Sequence, residues 1–414
     1  MTKKIKPLLA CLAGTLLEWY DFSLFAALAP ILSDLFFPLK NHTASLLATF
    51  MTFAAGFLAR PIGAFYFGNR GDKSGRKSSL WITVILMTIA TVSIGLLPTY
   101  TQAGIAAPLL LVILRLLQGL AVSGEHSGAI TFLSEIAEPH KKGFMTSFVI
   151  MGAAGGMLFG SLISLAVSHF LSHADLLAWG WRLPFISSVV LGGVGLYIRA
   201  KLAESPAFIT LLQKKGTKLF PLLDLLKHNF SSVLKTIGIF FSNIIIFYII
   251  FVYMPTGLTA AKKIPLNSML MINSFSLIVM MFFIPLFGNL SDKVGKRPIL
   301  SIGAIGIIIL TYPLFSLYQH ASIISILLAQ MSFALLTACY GGTIPAVVSN
   351  LFPTELRYSG VAVGVNLTAS LFGGTAPMVA TYLAHVGHHY SLICSYIILS
   401  TIISLVVTHF IKIR

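Results

Sequence analysis

Apolar residues fill this chain in long unbroken runs separated by short polar stretches. Continuous runs of about 20 residues fit helices that cross a membrane, whereas the strands of an outer-membrane barrel would alternate with a period of two. Twelve such helices are predicted, near 8–32, 45–67, 79–98, 106–133, 144–170, 183–201, 232–254, 267–289, 299–317, 321–350, 359–384 and 390–411. The first follows a basic stretch at 1–6, and its apolar character continues to Phe37 without a small-residue cleavage site. It is therefore expected to stay as a span rather than leave as a signal peptide. The predicted fold class is an all-α polytopic membrane protein.

Composition agrees with the pattern. Hydrophobic residues make up 57% of the 414 and charged residues only 10%, too few polar groups to coat a soluble domain. That excludes a soluble enzyme and a nucleic-acid-binding domain. The net charge of +16 reads as orientation, because basic residues collect in cytoplasmic loops. With the N-terminus inside, 21 Lys and Arg fall on the inner side and four on the outer, the latter being Lys40, Arg182, Lys262 and Lys263. Both termini are expected in the cytoplasm and the chain in a bacterial inner membrane. Cys11, Cys339 and Cys394 lie inside apolar runs and read as small buried hydrophobes.

The longest polar stretch, 202–231, divides six spans from six, so two bundles at 1–201 and 232–414 are expected around a cytoplasmic linker. The linker's Lys214, Lys215, Gly216 and Lys218 precede a candidate amphipathic helix at 219–228, with a plain linker as the alternative. A repeat supports two halves. Gly68, Asn69, Asp72, Lys73 and Gly75 recur as Gly288, Asn289, Asp292, Lys293 and Gly295, each 220 residues on and each after an even-numbered span. An Asp there is suited to accept hydrogen bonds from a neighbouring helix N-terminus, and the nearby cations to pair with acids. A cytoplasmic gate of Asp72, Arg76, Asp292, Lys296, Glu135 and Arg357 is expected to latch the bundles and break when they rock.

These loops resemble the G-x-x-x-D-x-x-G-R-[KR] signature of the major facilitator superfamily. Further segments narrow the resemblance: Glu18-Trp19-Tyr20-Asp21-Phe22, Arg60-Pro61-Ile62-Gly63, Arg115-Leu116-Leu117-Gln118-Gly119 with Gly124-Glu125 and Ser134-Glu135, Trp179-Gly180-Trp181-Arg182-Leu183-Pro184-Phe185, Glu204-Ser205-Pro206-Ala207-Phe208, Leu351-Phe352-Pro353-Thr354-Glu355-Leu356-Arg357 and Phe372-Gly373-Gly374-Thr375-Ala376-Pro377. As an ordered set they resemble the metabolite:proton symporter branch, which includes proline/betaine, citrate, α-ketoglutarate and shikimate carriers. The resemblance runs from about residue 10 to the end. It departs at Lys296-Arg297, where Arg-Arg or Arg-Lys is usual, and at Ser123, where Gly is common. Osmosensing members carry a long cytoplasmic coiled-coil tail; the sequence given stops at Arg414, so regulation of that kind is not expected.

Ionisable side chains inside a membrane are costly and mark functional sites by default. Those predicted within spans are Glu18, Asp21, Arg60, Arg115, Glu125 and His126, all in the first half. At ~1.5 Å per residue, Asp21 and Arg115 fall in one outer layer and Glu18, Glu125 and Arg60 in an inner one. Proton coupling is expected from this set, led by Asp21 with Arg115; permanent ion pairs between helices are the structural alternative. Glu125 with Arg60 is weighed evenly between the two roles. His126 is expected to pack rather than relay protons, and His385, His388 and His389 to be solvated loop residues. The glycine seams Gly152–Gly156–Gly160 and Gly360–Gly364 suit close helix packing, and Pro255, Pro285, Pro345 and Pro377 suit kinks.

No nucleotide loop, catalytic constellation or metal-ligand set is present in the sequence, so neither an enzyme nor a cofactor is expected. The expected function is secondary active uptake of a small polar metabolite by proton symport through alternating access. Substrate contacts are expected from Trp19, Tyr20, Arg115, Gln118, Asn243, Tyr340 and Asn366. Arg115 suits a carboxylate, and the aromatic faces suit a quaternary ammonium. A zwitterion and an organic carboxylate both remain open. The alternatives are proton-coupled efflux by antiport and, from another class, a membrane receptor or sensor. The expected partners are the solute, protons and the lipid bilayer, with a monomer and without nucleic acid.

Overall fold

The computed structural model describes residues 2–214, 221–255, 257–258, 264–319, 322–386 and 390–411. Lys262, Lys263, Lys215, Gly216, Lys218, His388 and His389 fall outside these, as do the side chains of Lys214 and His385. Among the described residues there is no strand, and twelve helices are long and apolar enough to span a membrane. They are α1 (Lys6–Ala27), α2 (Ala44–Ser74), α3 (Arg76–Leu96), α4 (Ala106–Ile136), α5 (Pro139–Phe170), α6 (Arg182–Ala200), α7 (Phe230–Tyr253), α8 (Asn267–Val294), α9 (Lys296–Gln319), α10 (Ile323–Asn350), α11 (Thr354–Ala384) and α12 (Ser391–Phe410). Apolar side chains such as Leu58, Ile62, Phe282, Ile309 and Phe410 stand exposed on the outer surface, as lipid requires.

The helix pairings repeat between halves. α1 packs on α5, α2 on α4 and α3 on α6; in the second half α7 packs on α11, α8 on α10 and α9 on α12. The halves meet where α5 crosses α8 and α2 crosses α11. Small residues set these distances. A Cβ on Gly156 would strike the Leu16 carbonyl and the backbone of Tyr20, and one on Gly160 would meet Ser23, so the α5 seam seats α1. Gly364 seats α7 through Thr236 in the same way, while Gly360 meets Phe352. At the α5–α8 crossing, a Cβ on Gly143 would strike the Gly288 carbonyl and Ser291, and one on Gly288 the Gly143 carbonyl and Ser147.

Of the prolines expected to kink spans, Pro255 and Pro377 follow within a turn of widened segments, whereas Pro285 does not interrupt its helix. Pro285 and Pro313 lie inside continuous helices, and Pro345 opens the segment Ile344–Asn350 after a turn in α10. The widened turns are π-helical, at Tyr248–Tyr253 in α7 and Ala369–Gly373 in α11. Two carbonyls in the first, Ile250 and Phe251, accept from the amides of Gln330 and Asn273, so the irregular backbone stays hydrogen-bonded inside the bundle. Between α6 and α7, short helices run over Pro206–Lys214 and Pro221–His228. The second, expected at 219–228, packs on α2 and α11 through buried Pro221 and Leu225.

Candidate functional site: a cavity between the two halves

Both repeated loops latch one half to the other. Asp72, at the end of α2, accepts hydrogen bonds from the backbone N–H groups of Tyr358 and Ser359 at 3.2 and 2.9 Å. Those groups open the regular helix of α11, so the carboxylate sits on a helix N-terminus, where negative charge is favoured. Asp292, at the end of α8, accepts from Gly143 and Phe144 at the start of α5, both at 2.8 Å. The glycines that follow, Gly75 and Gly295, take φ of 106° and 107°, a conformation that other residues resist.

The first latch carries more charge. Arg76 is fully buried, lies 3.3 Å from Asp72, and donates to Glu135 at 3.2 and 3.1 Å and to the Thr354 carbonyl at 2.7 Å. Arg357 reaches Glu135 from the other half at 3.2 Å. The second latch has only Lys296, 3.6 Å from Asp292. The expected gate set is thus brought together as two clusters. The Glu204-Ser205-Pro206-Ala207-Phe208 segment completes the first. Glu204 accepts from the N–H of Lys77 at 3.1 Å, Ser205 donates to Glu135 at 2.5 Å, and the Phe208 ring lies 4.6 Å under the Arg76 guanidinium.

Deeper in the spans, two ion pairs are closed. Arg115 donates to Asp21 at 2.8 Å, and Gln118 donates to the other oxygen of Asp21 at 2.6 Å and to Thr91 at 2.9 Å. The rest of the Arg115 guanidinium lies against Phe25, Phe22 and Phe53, 4.3 to 5.3 Å from the ring centres. The predicted shared layer of Asp21 and Arg115 is therefore a direct contact, and it lies off the cavity wall.

Glu125 does not meet Arg60. Its partner is Arg199 on α6, which donates to both carboxylate oxygens, while Thr83 donates to one of them at 2.8 Å. Arg199 is the residue that the sequence hid. It stands in the last turn of α6, where it counts as a loop cation, yet it is 1% exposed. Gly14 makes the room: a Cβ there would collide with both the guanidinium and the Glu125 carboxylate. Gly14→Val is expected to cost about 1–3 kcal/mol through overpacking, read as a lower melting temperature in detergent; an unchanged melting temperature would contradict the contact.

What remains is a cavity between the halves, walled by α1, α2, α4 and α5 on one side and by α7 and α11 on the other. Glu18, Trp19, Arg60 and His126 face Asn243, Phe247 and Tyr248 across it. The two acids of α1 diverge because a spacing of three leaves them about 60° apart around the helix, so Asp21 meets α4 while Glu18 meets the cavity. The wall is rich in polar atoms with no hydrogen-bond partner: both oxygens of Glu18, Nε and Nη2 of Arg60, Nδ1 of His126, Nε1 of Trp19, Oδ1 of Asn243 and the Tyr248 hydroxyl. Buried polar groups are normally paired, so a cluster of exceptions around one space marks a place for a ligand. Arg60 is held between the rings of Phe57 at 4.5 Å and Phe22 at 4.9 Å. Trp19 packs on Phe247 and Tyr248 with ring centres 5.1 and 6.2 Å apart.

Of the expected substrate contacts, Trp19, Asn243 and Asn366 line this cavity. Arg115, Gln118, Tyr20 and Tyr340 do not. The first two are held in the Asp21 network. The Tyr20 hydroxyl donates to the Pro184 carbonyl and that of Tyr340 to the Ile239 carbonyl. The Asn366 amide donates to the Ser123 carbonyl at 2.9 Å and to Ser127 at 3.2 Å, tying α11 to α4. His126, expected only to pack, is in the wall. Tyr248 and Phe247 escaped the sequence reading because nothing in an apolar run distinguishes one aromatic face from another.

Twelve apolar helices in two related halves, closing on a cavity with an ionisable wall, define a polytopic transporter with the major facilitator fold. The "Sugar (and other) transporter" family profile matches the chain twice, over residues 6–219 and 210–413. The chain is 34% identical to the glycine betaine/proline/ectoine/pipecolic acid transporter OusA of Dickeya dadantii, over 98% of this chain and 83% of that one. It is 32% identical to the proline/betaine transporter of Escherichia coli K12, over 97% and 82%. The structure superposes on the proton:xylose symporter XylE bound to 6-bromo-6-deoxy-D-glucose with a TM-score of 0.82 at 20% identity, covering 99% of this chain and 95% of XylE. The chain belongs to the sugar (and other) transporter family and, within the major facilitator superfamily, to the metabolite:proton symporter branch.

Proposed function

We propose that this protein takes up a small zwitterionic solute of the betaine or proline type, together with protons, by alternating access across a bacterial inner membrane. The observation that carries the reading is the cavity wall. It sets the unpaired Arg60 cation, suited to a carboxylate, in one space with the Trp19, Phe247 and Tyr248 rings, suited to a substituted ammonium. Asn243 supplies a free amide oxygen between them. The curated relatives named for glycine betaine and proline favour this chemistry over a di- or tricarboxylate. A second carboxylate would need a second free cation, and Arg115 is already committed to Asp21.

With both termini in the cytoplasm, as the Lys and Arg distribution argues, the latched face is the cytoplasmic one. The 1–201 and 232–414 bundles then rock about the cavity, and the Asp72 and Asp292 latches part when it opens inward. The test is calorimetric titration of the detergent-purified protein with glycine betaine, proline and citrate. Binding of the first two is expected, with Arg60→Gln weakening it about 10- to 100-fold, the equivalent of ~1.5–3 kcal/mol for a hydrogen bond to charge. Citrate binding without betaine binding would contradict the zwitterion assignment.

A further inference from the structure

Three carboxylates lie within the membrane-spanning core of the first half, and their surroundings differ. Both oxygens of Asp21 accept hydrogen bonds, from Arg115 and Gln118. Both oxygens of Glu125 accept from Arg199, and Thr83 adds a third bond. These two are neutralised by partners that lie outside the cavity wall. Glu18 is 1% exposed, neither of its oxygens has a partner, and it lines the cavity. Leaving an ionised carboxylate buried without a partner is costly, and a bound proton removes that cost.

The charged and titratable groups facing Glu18 are few. α2 brings Arg60, α4 brings His126 and, from behind the wall, Glu125 with its Arg199 partner, and α7 brings the Tyr248 hydroxyl; α5 and α11 bring no ionisable group to the wall. Arg60 is the one cation among the described wall residues. With Glu18 ionised, the two charges balance within one enclosed space, and an entering carboxylate meets no net positive charge. With Glu18 protonated, Arg60 is left uncompensated and the space favours an anion.

We infer that Glu18 is the group that carries the coupled proton, and that its protonation releases Arg60 to hold the substrate carboxylate. The inference rests on the zwitterion reading above and adds its coupling step. A proton from water on the outer side binds a Glu18 oxygen, and the zwitterion then binds with its carboxylate on Arg60 and its ammonium on the rings of α1 and α7. After the halves rock, the substrate leaves, Arg60 again faces Glu18, and the same proton is released to water on the inner side. Because binding linkage is reciprocal, the proton raises substrate affinity by the factor by which substrate raises proton affinity. Asp21 and Glu125 keep their partners throughout, as positioning residues for α1 and α4.

The sign follows. Glycine betaine binding to the wild-type protein is expected to weaken as pH rises, because alkaline solution removes the Glu18 proton. Glu18→Gln keeps the neutral, protonated-like shape. It is expected to bind at alkaline pH about tenfold more tightly than wild type, within the usual range of coupling factors, and with no pH dependence. In proteoliposomes it is expected to exchange labelled for unlabelled glycine betaine but not to accumulate it against a gradient when protons are driven inward. Glu18→Asp, which keeps a titratable group, is expected to retain pH-dependent binding, and so is Asp21→Asn combined with Arg115→Gln, which orphans no buried charge; His126→Gln is expected to keep the pH dependence whatever its affinity.

Glu18→Gln protein that still accumulates substrate, or binds with the wild-type pH dependence, would overturn the inference while leaving the zwitterion site intact. So would loss of pH dependence in His126→Gln, or in Asp21→Asn combined with Arg115→Gln, with Glu18→Gln unaffected. Should Glu18→Gln not fold, the readout is proton uptake by lightly buffered wild-type and Glu18→Asp protein on adding glycine betaine. Uptake in both supports the inference, and none in either overturns it. Failure of the wild-type protein to bind either betaine or proline would instead overturn the substrate reading.

Discussion

Arg76→Gln is expected to unlatch the loop-bearing face and abolish accumulation of solute. Arg76 is fully buried and joins both halves: it donates to Glu135 and the Gly71 carbonyl of the first half and to the Thr354 carbonyl of the second. Its loss leaves Asp72 without that countercharge in a buried site and Glu135 with Arg357 alone, and breaking a buried pair from one side costs about 3–5 kcal/mol. The cost falls mainly on the closed form, because Arg76 meets the Thr354 carbonyl across the halves only when the face is shut, and only then are its acidic partners enclosed. A bias of that size moves a two-state equilibrium by about 100-fold or more. The readout is labelling of Ala153→Cys, a cavity-wall position, by a membrane-impermeant thiol reagent applied from that face. The native Cys11, Cys339 and Cys394 are buried and give little background. A large gain in labelling is expected, and unchanged labelling would contradict the latch.

The second large effect belongs to Glu125. Glu125→Gln would leave the Arg199 guanidinium inside the bundle with no countercharge, held only by neutral acceptors, the new amide oxygen and the Ala10 and Leu80 carbonyls. An unpaired buried charge again costs ~3–5 kcal/mol, so the single variant is expected to melt well below wild type and to yield little folded protein. Adding Arg199→Gln removes the orphaned charge, and the double variant is expected to recover most of the loss, since two amides there can pair with each other and with Thr83. Melting curves of both proteins in detergent decide it. A double variant as unstable as Glu125→Gln would mean that the pair is not the structural unit described.

These particulars show what a sequence yields and what it withholds. The Asp72 and Asp292 latches were legible because glycine and aspartate repeat at fixed offsets, which a merely basic turn does not require. The Asp21–Arg115 contact was legible because both residues lie on long helices whose entry points are clear, so depth alone brings them level. Arg199 was not, because a cation in the last turn of a span looks the same in sequence whether it faces water or turns inward. What turns it inward is the gap at Gly14, on a helix 185 residues away. The division of labour between Glu18 and Asp21 was likewise hidden. Their spacing places them on the same side of α1 to within about 60°, and only the packing of α4 and α7 decides which of them meets a partner and which meets the cavity. Tyr20 and Tyr340 looked like cavity residues because an aromatic in a span has no visible partner, whereas each hydroxyl is spent on a backbone carbonyl.

The most direct test of proton-coupled zwitterion uptake is the accumulation of labelled glycine betaine by proteoliposomes carrying the purified wild-type protein, with an inward proton gradient imposed and then collapsed by a protonophore. Accumulation above the external concentration that disappears on collapse is the expected result. No accumulation of glycine betaine or proline, together with gradient-driven extrusion of preloaded compounds, would contradict uptake and point to antiport.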